Sequence, residues 1–142
     1  MALVENAAEV RDEWLGRLAA LIRDVQTWAD SLGWSTRQVE VSRDDWEIGK
    51  YKAPCLLLQQ DAIRVLLEPI ARSAPGADGV VDLYVMPAFD DIASLYYNDG
   101  VWHVHYMFPV APAESATFDA TGKPLTKEVL RELLEEMKQH VA

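Results

Sequence analysis

From Val4 to Leu32 the apolar residues return every three or four positions. Val10, Trp14, Leu18, Leu21, Ile22, Val25, Trp28, Ala29 and Leu32 fall on one side of a 3.6-residue period. The spacing predicts an amphipathic helix over about 5–32. Glu13 and Arg17, one turn apart, can pair on its outer side, and Gly33 stands where a left-handed cap ends such a helix. Gly16 costs about 1 kcal/mol against alanine, which the stripe outweighs.

After Trp34 the period falls to two, with Val39 and Val41 alternating against Gln38, Glu40 and Ser42. Strands therefore take over. A short strand is expected around Trp46–Tyr51, and after Pro54 the segments CLLLQQ and IRVLLEPI carry unbroken apolar triplets, as central strands covered on both faces do. SAPGADG (73–79) is a turn-rich loop; VVDLYVM and IASLYY continue the strands. Residues 109–124 hold three prolines and no sustained period and read as a connector. Beyond it Val129, Leu130, Leu133, Leu134 and Met137 form a second apolar stripe over about 126–140, with Thr126 as N-cap and Leu125 placed to staple against Leu130. Helix, strands joined by short links, then helix imply one α+β domain. Its antiparallel sheet has five to six strands in mostly sequential order and is flanked by the N-terminal and C-terminal amphipathic helices.

The last hairpin carries the most informative chemistry, YYNDGVWHVHY, with two of the chain's three histidines one residue apart. Asp99-Gly100 suits a two-residue type I′ turn. That turn pairs Asn98 with Val101, Tyr97 with Trp102, Tyr96 with His103, Leu95 with Val104 and Ser94 with His105. One face then collects Ala93, Leu95, Tyr97, Trp102, Val104 and Tyr106; the other collects Ser94, Tyr96, His103 and His105. A three-residue turn would pair Leu95 with His103 and mix apolar with polar partners, so the first register is expected. The helices should cover the Trp102 face, leaving the histidine face open and shared with Asp82, Tyr84 and Met86.

Composition narrows what that face can do. The 142 residues carry 13 Lys and Arg against 23 Asp and Glu, a formal charge of −10 without a basic cluster, which repels phosphate backbones and argues against nucleic-acid binding. No apolar run is long enough to cross a bilayer, so no membrane association is expected. The early Glu5, Glu9 and Arg11 interrupt any signal-peptide core, and a cytoplasmic location is the expectation. Cys55, the only cysteine, rules out an internal disulfide or a site of several thiolates and is expected in the core.

His103 and His105 could supply two metal ligands with Asp82, or a loop carboxylate from Asp90 and Asp91, as a third. The residues beyond His105 do not extend a cupin pattern, and no second histidine cluster exists. Ser94, His105 and Asp82 nominally match a nucleophile, base and orienter, but no G-x-S-x-G turn exposes the serine. Glu68 and Asp82 are strand-borne acids, yet no lysine lies between Lys52 and Lys123 to complete a nuclease set. No cofactor is called for. Five tryptophans and five tyrosines in a small acidic chain leave an aromatic face as the unusual feature. The reading is a non-enzymatic protein-binding module, of chaperone, immunity or adaptor type. It would contact another protein, or a second copy as a homodimer, through Tyr84, Tyr96, His103 and His105. The alternative is a small metal-dependent or hydrolytic enzyme using His103, His105 and Asp82.

Overall fold

The computed structural model describes residues 4–87, 90–105, 107–109, 117–119 and 122–141. Helix α1 spans Ala7–Ser31 and helix α2 Lys127–Val141. Between them β1 (Ser35–Asp45), β2 (Gly49–Gln60), β3 (Ile63–Ala71), β4 (Val80–Val85), β5 (Asp90–Asn98) and β6 (Val101–His105) form one six-stranded sheet in sequential order, every neighbouring pair antiparallel. The α+β architecture read from the periodicity is therefore present. Two three-residue strands pair with each other, β7 (Met107–Pro109), which ends on the first residue of the segment expected to be an irregular connector, and β8 (Thr117–Asp119), which lies within it. Residues 110–116 and 120–121 of that connector lie outside the described residues, as does Tyr106.

The α1 stripe buries Trp14, Leu18, Leu21, Ile22, Val25 and Ala29, and α2 adds Val129, Leu130, Leu133, Leu134 and Met137. Both sets join one core with Leu56, Leu58, Val65, Leu67, Val81, Leu83, Ala93, Leu95 and Val104 of the sheet, so the helices share one sheet face. Gly33, at φ 86°, takes the left-handed conformation that ends α1. At α2 the Thr126 hydroxyl accepts the Val129 N–H at 3.2 Å while its carbonyl accepts that of Leu130 at 2.9 Å. Leu125 packs against the core beside buried Leu130, as a staple requires.

Two local expectations need correction. The short strand expected at Trp46–Tyr51 does not begin until Gly49. The Asp45 carboxylate accepts the backbone N–H groups of Glu47 and Ile48 at 2.7 and 3.1 Å, folding Trp46–Ile48 into a side-chain-stabilised turn. Pro54 also sits inside β2 instead of before it, opposite Glu40 of the outermost strand. Proline is tolerated there because β2 pairs with β3 only from Leu56 onward, so the Pro54 nitrogen lacks no ladder partner on that side.

The far edge of the sheet is closed by the approach to α2. Val104 N–H donates to the Lys123 carbonyl at 2.8 Å, Gly122 N–H to that of Val104 at 2.7 Å and Leu125 N–H to that of Trp102 at 2.8 Å. This short run shields β6, which would otherwise present unpaired backbone groups. It also fixes the strand that carries both histidines.

Candidate functional site

The β5–β6 hairpin adopts the two-residue turn. Asp99 and Gly100 lie at φ 51° and 79°, both left-handed as a type I′ turn requires, and Asn98 pairs with Val101. Tyr97 opposes Trp102, Tyr96 opposes His103, Leu95 opposes Val104 and Ser94 opposes His105. Trp102 consequently turns toward the helices, its ring centroid 6.5 Å from that of Trp14 and 5.0 Å from that of Tyr97. Arg17 of α1 caps this cluster, its guanidinium 4.2 Å over the Tyr97 ring and its Nη1 donating to the Asp78 carbonyl at 2.8 Å.

On the opposite sheet face the registers of four consecutive strands align one row: Glu68 of β3, Asp82 of β4, Ser94 of β5 and His105 of β6. The Ser94 hydroxyl donates to Asp82 Oδ1 at 2.8 Å. The serine thus lies between the acid and the histidine, whereas a catalytic triad needs the histidine between serine and acid. Burial raises the Asp82 pKa, the Ser94 hydrogen bond lowers it in part, and the neighbouring Glu68 carboxylate raises it again.

Glu68 is the hub of the inner end of the row. It accepts Arg43 Nη2 at 2.5 Å and the Tyr84 hydroxyl at 2.6 Å, while Arg43 also donates to the Pro69 carbonyl at 2.9 Å. Tyr84 is therefore not part of an open face. It is only 5% exposed, and burial together with the bonded carboxylate raises its phenol pKa well above the ordinary value. The strand alternation that placed Tyr84 on the histidine face is correct, but the middle of that face is packed. Cys55 lies on the same face, fully buried; desolvation and the Glu68 charge, opposed by Arg43, push its thiol up to about 11.

The outer end of the row is open. Tyr96, Asn98, His103 and His105 line a groove of about 530 Å³ whose other wall is the Pro75–Gly76 turn and Gly122. The Tyr96 and His105 rings meet edge to face, centroids 5.4 Å apart and planes at 75°. His103 Nδ1 is buried and, among the described residues, is the one such side-chain nitrogen or oxygen without a hydrogen-bond partner. A buried unpaired polar atom costs about 1–3 kcal/mol and marks a position where a further group is called for.

Of the four residues predicted to make the contact surface, three converge on this groove and Tyr84 lies beneath the face. Asp82 is held by Ser94, and among the described residues no three His, Cys, Asp or Glu side chains are grouped to hold a metal ion. The side chains of Asp90 and Asp91 are outside the described residues. Sequence reasoning missed the Pro75–Gly76 wall, because a loop twenty residues before Tyr96 reaches the histidines only through the β4–β5 pairing. It also missed the Arg43–Glu68–Tyr84 network, which joins three strands. Compared with protein families, with curated proteins and with solved structures, the chain matches none.

Proposed function

We propose that this chain is a protein-binding module, an accessory protein of chaperone, immunity or adaptor type, that holds its partner in the Tyr96–His103–His105 groove. The observation that carries the reading is the pairing of an open, aromatic-lined groove with the unpaired His103 nitrogen beside it. Tyrosine and histidine combine an apolar ring with a polar tip, and protein interfaces draw their energy from a few anchors of that kind. Among the described residues no carboxylate lines the groove. In a chain of net charge −10, that makes it a place where a partner escapes the general negative field.

The chemistry beside the groove supports binding over turnover. The Ser94 hydroxyl donates to Asp82 and, among the described residues, makes no hydrogen bond to His105 opposite it, so the serine is not engaged by the imidazole that would have to activate it. Association is tested by capture from host extract on the immobilised chain, with the wild type compared with Tyr96→Ala/His105→Ala. The double variant should retain native circular dichroism and lose at least about tenfold of the captured partner, the loss of one interface anchor. Equal capture by a folded double variant would remove the groove from the interface. Near-stoichiometric zinc, iron or nickel in tag-free protein, lost in His103→Ala/His105→Ala, would replace this reading with a metal-dependent activity at the same residues.

A further inference from the structure

Among the described residues, no strand covers the opposite edge of the sheet. β1 pairs with β2 on one side only, through an unbroken register over its 11 residues, with neither proline nor bulge. Among the described residues no other strand pairs with its other side, and the Ser42 carbonyl accepts only a side chain, Arg43 Nη1 at 3.3 Å. A long edge of this kind is a template for another strand. Where β1 ends stands Trp46, 69% exposed, and beside it Ile70, 47% exposed at the irregularity where β3 loses register with β4; both line a cleft with Arg72 of about 320 Å³.

We propose that the occupant of this edge is a second copy of the chain, the two β1 strands pairing antiparallel about a two-fold axis through Val41. The symmetry limits the choices. Opposed residues of an antiparallel pair share a face, so a two-fold axis normal to the sheet must pass beside a residue that faces its own copy. An axis at Glu40 sets that carboxylate against itself and Arg37 against Arg43. An axis at Ser42 sets Glu40 against Asp44. An axis at Val39 avoids repulsion but pairs no opposite charges and carries Trp46 past the end of the partner strand. The axis at Val41 alone opposes Arg37 to Asp45, adding a second guanidinium to the carboxylate that Arg72 reaches at 3.4 Å, and brings Trp46 opposite Thr36. The exposure of Trp46 then has a cause: it covers the start of the partner's β1.

This pairing uses the edge remote from β6 and does not rest on the groove. Sedimentation equilibrium of the tag-free chain over a wide concentration range should show a monomer–dimer equilibrium. Arg37 is exposed and no intramolecular bond is seen at its side chain among the described residues, so Arg37→Asp tests the register without disturbing the fold. By placing like charges opposite each other it should raise the dimer Kd about tenfold or more. Under mild oxidation Val41→Cys should form a cross-linked dimer, because opposed Cβ atoms in a sheet lie about 4.5–5.5 Å apart, near disulfide range. Val39→Cys should not, and Cys55 is too buried to compete. Tyr96→Ala should dimerise as the wild type does. A monomer at every concentration, an unchanged Kd in Arg37→Asp, or cross-linking at Val39→Cys in place of Val41→Cys would overturn the proposal.

Discussion

Two carboxylates illustrate how the same side chain acquires opposite roles from its surroundings. Burial pushes Asp45 up, but the Glu47 and Ile48 N–H groups and Arg72 outweigh it and hold the carboxyl below its ordinary range. Its contribution to stability is therefore present above the unfolded aspartate value of about 3.9 and is lost as pH falls through the lower folded value. Asp82 has the reverse sign. Its folded value lies above the unfolded one, so its ionisation opposes folding as pH rises through that window. Urea unfolding of Asp45→Asn should accordingly show a loss of about 1–3 kcal/mol at neutral pH that shrinks toward strong acid. Asp82→Asn should gain on the wild type as pH rises above the unfolded aspartate value of about 3.9. Parallel pH profiles for the two variants would contradict the assignment. Cys55 follows from the same reasoning: buried, with its thiol pushed up to about 11, it should resist disulfide reagents at neutral pH in the native protein and react at once in urea.

At the scale of elements, the contact between α1 and the β5–β6 hairpin depends on one glycine. A Cβ at Gly79 would stand 2.6 Å from the Trp14 ring and 3.3 Å from that of Trp102. Gly79 also accepts the Tyr97 N–H at 2.9 Å, so its backbone cannot easily retreat. Gly79→Ala should cost about 1–3 kcal/mol in denaturant unfolding, the usual cost of overpacking, whereas Gly16→Ala, with open space around it, should stabilise α1 by about 1 kcal/mol. A neutral Gly79→Ala would mean that the tryptophans are free to move. Trp102→Ala removes the other side of the same contact and should cost about 3 kcal/mol. Both changes loosen the hairpin from behind without substituting a residue of the groove.

At the scale of the whole molecule, the net charge of −10 lies on a chain whose internal ion pairs gather at the β1–β3 end: Arg43 with Glu68, and Arg72 with Asp45 and Glu47. Exposed pairs on the helices, Arg17 with Glu13 and Arg131 with Glu128, still leave acids in excess over bases, and that excess is self-repulsive. Moderate salt, which shortens the screening length to about 8–10 Å and below, should raise the urea midpoint of the wild type. A midpoint that falls with salt would show that the paired charges outweigh the repulsion. Among the described residues no helix is long and apolar enough to cross a membrane.

The local pattern of the chain determined a great deal. The 3.6-residue stripes set which faces of α1 and α2 are buried, Gly33 and Thr126 set where those helices end and begin, and Asp99-Gly100 set the register that turns Trp102 inward and the histidines outward. Each of these depends on interactions within a few residues or across one tight turn, which order in sequence preserves. Tertiary structure decided the rest. That Tyr84 is buried follows from Glu68 and Arg43 arriving on other strands; that Ser94 serves Asp82 and not His105 follows from side-chain geometry within one row. The groove itself exists because the Pro75–Gly76 turn and Gly122 come to flank Tyr96 and the histidines. Alternation states which face a side chain takes, but only the packing of distant segments decides whether that face is covered, bonded or open.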